Sequence, residues 1–303
     1  MIASAAIYYL FNLFIEKEID FLSPTTNLGD SWNLITLVLI LMPVNWALEL
    51  IKWRGLVIQV QEISIKKSVK SILAGILLSL LTPNRVGELG GKLIYIQKEK
   101  RSAVLYFNSV CSISQLLITI LVGLAAMFFL RDVFAIWVEL EDELFLGLIF
   151  LIYVLIVSVF FKSNSLVKIF NYFSKARAKE SISLNTSQRI SLILLSLARY
   201  LVFCIQFFIL VKIFEPEITI FESTLSIALI FFLTAIVPTG WISDLPVRTT
   251  IAFFVFESMS FSGSSGLSAS ILLWIINLLI PALLSLALLR DIDWMKNLIW
   301  SRK

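Results

Sequence analysis

The chain has 303 residues, 59% of them hydrophobic, with a net charge of +4, a pI near 9.0 and a mean hydropathy of +0.93. That composition belongs to an all-α polytopic integral membrane protein whose lysines and arginines sit in loops between apolar runs, where they set topology, and no nucleic-acid partner is expected. The absence of histidine, with Cys111 and Cys204 far apart inside apolar runs, removes zinc and haem ligation, histidine-based acid–base catalysis and a disulfide framework.

The first apolar run, Ile2–Ile15, has no basic residue ahead of it and no clear small-residue cleavage site, so it reads as a spanning helix and not as a signal peptide. Glu16, Glu18, Asp20 and Asp30 place the following loop outside. A second helix runs over Trp32–Trp53, and Arg54, Lys66, Lys67 and Lys70 turn its end to the cytoplasm. Trp32 and Trp53 read as interfacial anchors, and Lys52 as a side chain that snorkels to the same interface.

Ser71–Leu81 is apolar but too short to cross, and the run then breaks at Thr82-Pro83-Asn84-Arg85-Val86-Gly87-Glu88-Leu89-Gly90-Gly91-Lys92. Thr82 suits a cap and Pro83 a first helical position. On the helix that follows, Arg85, Glu88 and Lys92 fall on one face at i, i+3 and i+7, opposite an apolar stripe of Val86, Leu89, Leu93 and Ile96. Gly87 and Gly91, four apart, admit the close approach of another helix or of a ligand. Each such charge costs roughly 2.5–3.5 kcal/mol at the bilayer centre, so the stretch requires partners or a wet cavity. A helix start there, beside Arg85, suits a phosphate or carboxylate. A full crossing by this segment would leave Lys98-Glu99-Lys100-Arg101 outside, against the positive-inside rule; a re-entrant hairpin keeps that cluster cytoplasmic.

Further spans are expected at Ala103–Leu130, Leu144–Phe161, Ile190–Phe214 and Leu267–Leu289, with loops that alternate in sign and a basic C-terminal end inside. A second break, Pro238-Thr239-Gly240-Trp241-Ile242-Ser243-Asp244-Leu245-Pro246-Val247-Arg248, interrupts the apolar run from Ser223. Both breaks carry an acid-Leu-x-x-base pattern a few residues after a proline, at matching places in the two halves. The expectation is one transmembrane domain, 1–303, of about six spanning helices and two re-entrant broken-helix hairpins. It would be arranged as an inverted repeat: 1–130 with motif 82–92, and 144–303 with motif 238–248.

Polar residues on the spans suggest a shared cavity. Asn108, Ser112, Gln115 and Thr119 make one helical face, Asn45, Glu49 and Lys52 another, and Arg199 and Gln206 share a side of a third helix. The uncharged members serve equally as hydrogen-bonding glue between helices. Glu49 and Arg199 are charges at membrane depth and are expected to face the cavity and each other.

Asn45-Trp46-Ala47-Leu48-Glu49-Leu50-Ile51-Lys52-Trp53, followed by the Thr82–Lys92 segment, resembles the flippase-like membrane domain of the lysylphosphatidylglycerol synthases and its stand-alone bacterial relatives. The resemblance covers essentially the whole chain and is sharpest from Pro83 to Glu88. It carries over Arg85, Gly87 and Glu88 directly; the second signature departs from the family's glycine-rich form, with Trp241 and Ser243 in that loop. It implies lipid movement between leaflets of a bacterial cytoplasmic membrane, by a multi-pass protein with both termini in the cytoplasm. The family's soluble transferase domain is absent here, so aminoacylation is not expected.

The reading that results is a lipid translocator without cofactor, for an anionic, aminoacylated or polyprenyl-phosphate-linked lipid. Arg85, Lys92 and Arg248 would engage the head group. Glu88 and Asp244 would neutralise the empty site or meet a cationic group. Two readings stand beside it: charges that merely pair, Glu88 with Lys92 or Arg85 and Asp244 with Arg248, and a non-transporting subunit or anchor for a separate lipid-modifying enzyme. The lack of an evident nucleophile or metal cluster argues against an enzyme, and the lack of a nucleotide-binding loop against direct use of ATP.

Overall fold

The computed structural model describes residues 31–82, 86–130, 142–162, 165–173, 184–237 and 244–289. The expected span at Ile2–Ile15, Arg85 with its neighbours Pro83 and Asn84, most of the second break (238–243) and the basic C-terminal end lie outside the described residues.

Every regular element among the described residues is helical: α1 (Trp32–Val57), α2 (Ile65–Leu81), α3 (Val86–Lys92), α4 (Arg101–Phe129), α5 (Asp142–Phe161), α6 (Ser165–Phe173), α7 (Thr186–Phe214), α8 (Ile220–Ile236), α9 (Asp244–Ser258), α10 (Gly263–Trp274) and α11 (Ile280–Leu288). A 3₁₀ turn, Lys98–Lys100, leads into α4, and a π-helical turn, Ile275–Leu279, joins α10 to α11. Among the described residues, four stretches are long and apolar enough to cross a membrane: α1, α4 with its leading turn, α7, and α10 to α11 taken together. Gly147–Phe161 and Leu166–Tyr172, bent by 101°, make a fifth candidate. The protein is thus an all-α membrane protein, and its outward faces carry Leu34, Ile40, Phe128, Leu151, Leu194 and Leu284, all exposed.

The helix ends follow their sequences. Ser64 caps α2 by accepting from the Lys67 amide, and capping boxes start α7 (Asn185 with Gln188) and α8 (Thr219 with Glu222). Thr82 serves both sides of the first break: its hydroxyl donates to the Leu78 carbonyl (2.8 Å) and accepts from the Gly87 amide (2.7 Å).

α2 and α3 form an antiparallel hairpin whose arms touch through glycine. A Cβ on Gly87 would collide with the Leu78 carbonyl, and one on Gly91 with the backbone of Ala74 and Gly75. Lipid supplies no hydrophobic drive for helices to associate, so backbone approach of this kind is what holds them. α8 and α9, on either side of the second break, also pack on each other. The halves interlock: α1 packs on α7, the first hairpin on α11 through α2, and the second hairpin on α4 through α8. The main core lies between them, around Val38, Phe207, Leu210, Phe232, Phe256 and Ile276.

Two expectations at the end of the second span are corrected. Trp53 is no interfacial anchor: α1 runs on to Val57, and Trp53 is fully buried in a cluster with Val57, Ile72 and Val104. Lys52 does not snorkel; its side chain is 2% exposed and turns inward to a carboxylate. Trp32, at the other end of α1, is exposed.

Candidate functional site

The centre of the site is Glu49, on the face of α1 that turns toward α7 and the first hairpin, with its side chain 5% exposed. Lys92, at the end of α3, reaches its Oε1 at 2.8 Å. Arg199, on α7, reaches its Oε2 through Nη1 at 2.9 Å, and Lys52, one turn along α1, reaches the same oxygen at 3.2 Å. Lys92 also pairs with Glu88 Oε1 at 2.8 Å, one turn back on α3. Three cations against two carboxylates leave a surplus of one positive charge in an apolar body. Such a cluster persists at depth only because every member is paired or hydrogen-bonded.

Neutral groups fix the charged ones. Arg199 Nε donates to Asn45 Oδ1 at 2.8 Å, and its guanidinium lies over the rings of Trp46 and Phe203, 5.3 and 5.5 Å from their centroids. Lys52 Nζ donates to the Cys111 carbonyl at 3.3 Å and approaches Ser196 Oγ at 3.5 Å. Asn45 Nδ2 donates to Asn277 Oδ1 (3.1 Å) and the Trp46 indole to the Asn277 carbonyl (3.2 Å), so the π turn is tied to α1 at two points.

Beside the cluster is a cavity of about 280 Å³. Glu49, Lys52, Glu88 and Arg199, with Trp46 beside them, form its charged wall, and Ser112, Gln115 and Thr119, on one face of α4, form a neutral polar wall. Leu116 of α4 and Ala235 of α8 also line it; with Ser112 they are exposed, so the cavity reaches the surface between α4 and α8.

The geometry thus brings together Glu49, Glu88, Lys92 and Arg199 from the sequence-predicted set. Gly87 faces the other arm of its hairpin, and Arg85 lies outside the described residues. Asp244 and Arg248 are not among the described residues that line this cavity. They pair with each other at 3.4 Å, and Asp244 Oδ2 accepts from the Trp274 indole at 3.2 Å. Of the polar face on α4, Ser112, Gln115 and Thr119 reach the cavity, whereas Asn108 is buried elsewhere. Gln206 joins helices, donating to the Val38 carbonyl at 2.9 Å.

Trp46 and Asn277 are the members that sequence reasoning missed, and Lys52, placed on the Glu49 face, was expected to snorkel away from it. Lys52 stands three residues after Glu49, a spacing that puts both on one face; Asn277 is a lone amide in a long apolar run. Comparison with known protein families, with curated proteins and with solved structures finds no match to this chain.

Proposed function

We propose that this protein is a lipid translocator, flippase- or scramblase-like, moving an anionic, aminoacylated or polyprenyl-phosphate-linked lipid between leaflets of a bacterial cytoplasmic membrane. One observation carries the reading: four members of a buried five-charge cluster, Glu49, Lys52, Glu88 and Arg199, line a cavity at a broken-helix hairpin, and in this reading its mouth between α4 and α8 opens sideways, toward the acyl chains. A soluble ligand needs no lateral opening, and a purely structural ion-pair network needs no cavity.

In this account the α2–α3 and α8–α9 hairpins are re-entrant, and segments 1–130 and 144–303 are inverted repeats of one transmembrane domain. The reciprocal packing supports this: the second expected span of one half on the second of the other (α1 on α7), and each hairpin on the last helix of the other half. The resemblance of the Thr82–Lys92 stretch to the flippase-like domain of the lysylphosphatidylglycerol synthases fits the same reading. A head group enters between α4 and α8 and exchanges its charge with the Glu49–Arg199 and Glu88–Lys92 pairs, while the acyl chains stay in lipid. Arg85, Asp244 and Arg248 are further head-group contacts in this proposal.

The test is leaflet exchange in liposomes holding the purified protein and leaflet-labelled phospholipids of each class. Accelerated exchange of an anionic lipid supports translocation. No exchange across the panel by folded protein favours a membrane subunit that anchors a separate lipid-modifying enzyme.

A further inference from the structure

Resting on that reading, we infer that the head group taken by the cavity is a phosphodiester bearing neutral hydroxyls, of the glycerol-phosphate kind, and not a cationic aminoacyl group. The first reason is the state of the carboxylates. Glu49 Oε1 holds Lys92, its Oε2 holds both Arg199 and Lys52, and Glu88 Oε1 holds Lys92 again. An incoming ammonium would have to displace a resident cation, whereas an anion meets Arg199, a cation that lines the cavity.

The second reason is Arg199. Its Nε is on Asn45 and its Nη1 on Glu49, and the guanidinium lies over the rings of Trp46 and Phe203. What it has left to offer is the Nη2 edge, which makes no hydrogen bond among the described residues, on a side chain that lines the cavity. A planar donor edge of this kind suits a phosphate oxygen.

The third reason is the opposite wall. Gln115 Nε2 donates to the Ser196 carbonyl at 3.3 Å, one turn before Arg199 on α7, while Gln115 Oε1 is buried without a partner among the described residues. An acceptor in that state calls for a donor from the ligand. Ser112 and Thr119 extend the row, and at 1.5 Å per residue the three cover about 10 Å of helix. A glycerol hydroxyl donates where an ester or a quaternary ammonium cannot. Arg199 and Gln115 are therefore the two ends of one head-group site, phosphate on the first and hydroxyl on the second.

The experiment is equilibrium binding to the purified full chain in detergent, by calorimetry, with four probes. Dihexanoyl phosphatidylglycerol carries phosphate and hydroxyls; dihexanoyl phosphatidylmethanol keeps the charged phosphate and lacks the hydroxyls; dihexanoyl lysyl-phosphatidylglycerol adds two ammonium groups; free glycerol phosphate lacks acyl chains. The expected order places phosphatidylglycerol about tenfold or more tighter than each of the others, a factor worth one well-made hydrogen bond or charge contact. Gln115→Leu should erase the preference over phosphatidylmethanol, and Arg199→Lys should weaken both anionic lipids together.

Equal affinity of wild-type protein for phosphatidylglycerol and phosphatidylmethanol overturns the hydroxyl site, and tighter binding of the lysyl lipid overturns the anionic one. Glycerol phosphate binding as tightly as the lipid makes the ligand a soluble phosphate ester. Because the wild-type comparison needs no variant, a misfolded mutant does not shelter the inference. Expected binding without leaflet exchange would sink translocation and leave the head-group class standing; exchange with the reverse order would do the opposite.

Discussion

Arg199 Nη1 lies 2.9 Å from Glu49 Oε2, joining helices of opposite halves across 150 positions of sequence. Glu49 is the point on which α1, α3 and α7 converge, so the cluster both holds the halves together and presents charge to the cavity.

Glu49→Gln removes the carboxylate that compensates Lys52, Lys92 and Arg199. The expected loss is about 3–5 kcal/mol of stability, the range for breaking a buried pair from one side. Thermal unfolding in detergent measures it, and the double variant Glu49→Gln/Arg199→Gln should lose less than the sum of the two singles. Additive losses would mean that the two side chains do not share an interaction.

The hairpin arms make a sharper contrast. Gly91→Ala drives a methyl into the backbone of Ala74 and Gly75, which cannot swing aside as a side chain could, and should cost about 1–3 kcal/mol or more. Gly90→Ala meets nothing within 4 Å and should be neutral or stabilising by up to about 1 kcal/mol. Equal unfolding temperatures for the two variants would refute the hairpin packing.

Asn277→Leu leaves the buried Asn45 amide without its acceptor and loses the bond from Asn277 Nδ2 to the Leu273 carbonyl. A destabilisation of about 1–3 kcal/mol is expected. Because Asn45 also holds Arg199, binding of dihexanoyl phosphatidylglycerol should weaken in the same variant. Unchanged binding would show that the π turn does not position the guanidinium.

Topology can be read by labelling. Lys98 is exposed beside the first hairpin, where the Gln61 side chain bonds the backbone at Tyr95 and Gln97. In a background lacking Cys111 and Cys204, Lys98→Cys should react with an impermeant maleimide from the cytoplasmic side alone. Reaction from outside would turn α2 and α3 into a crossing and end the re-entrant account.

The hairpins and much of the charged cluster were legible because proline and charge are conspicuous in apolar sequence. Glu49 and Arg199 stood out for the same reason, and the cost of an unpaired charge at depth implied a partner for each. The pairing of Glu49 with Lys92 did not follow, since it depends on how the α2–α3 hairpin meets α1. The roles of Gln206 and Asn277 were illegible because a neutral polar side chain looks the same whether it joins helices, ties a π turn or lines a cavity. Trp53 was misread because a tryptophan beside basic residues at the end of an apolar run gives the same signal whether it is interfacial or buried.

The measurement that tests the central claim most directly is the rate of leaflet exchange of labelled phosphatidylglycerol in liposomes. Wild-type protein is compared with Glu88→Gln and Arg199→Gln variants whose folding has been verified. Fast exchange by the wild type, with both variants slowed about tenfold or more, is the predicted result. Exchange that is as fast in the variants as in the wild type would contradict the assignment of this cavity as the lipid path.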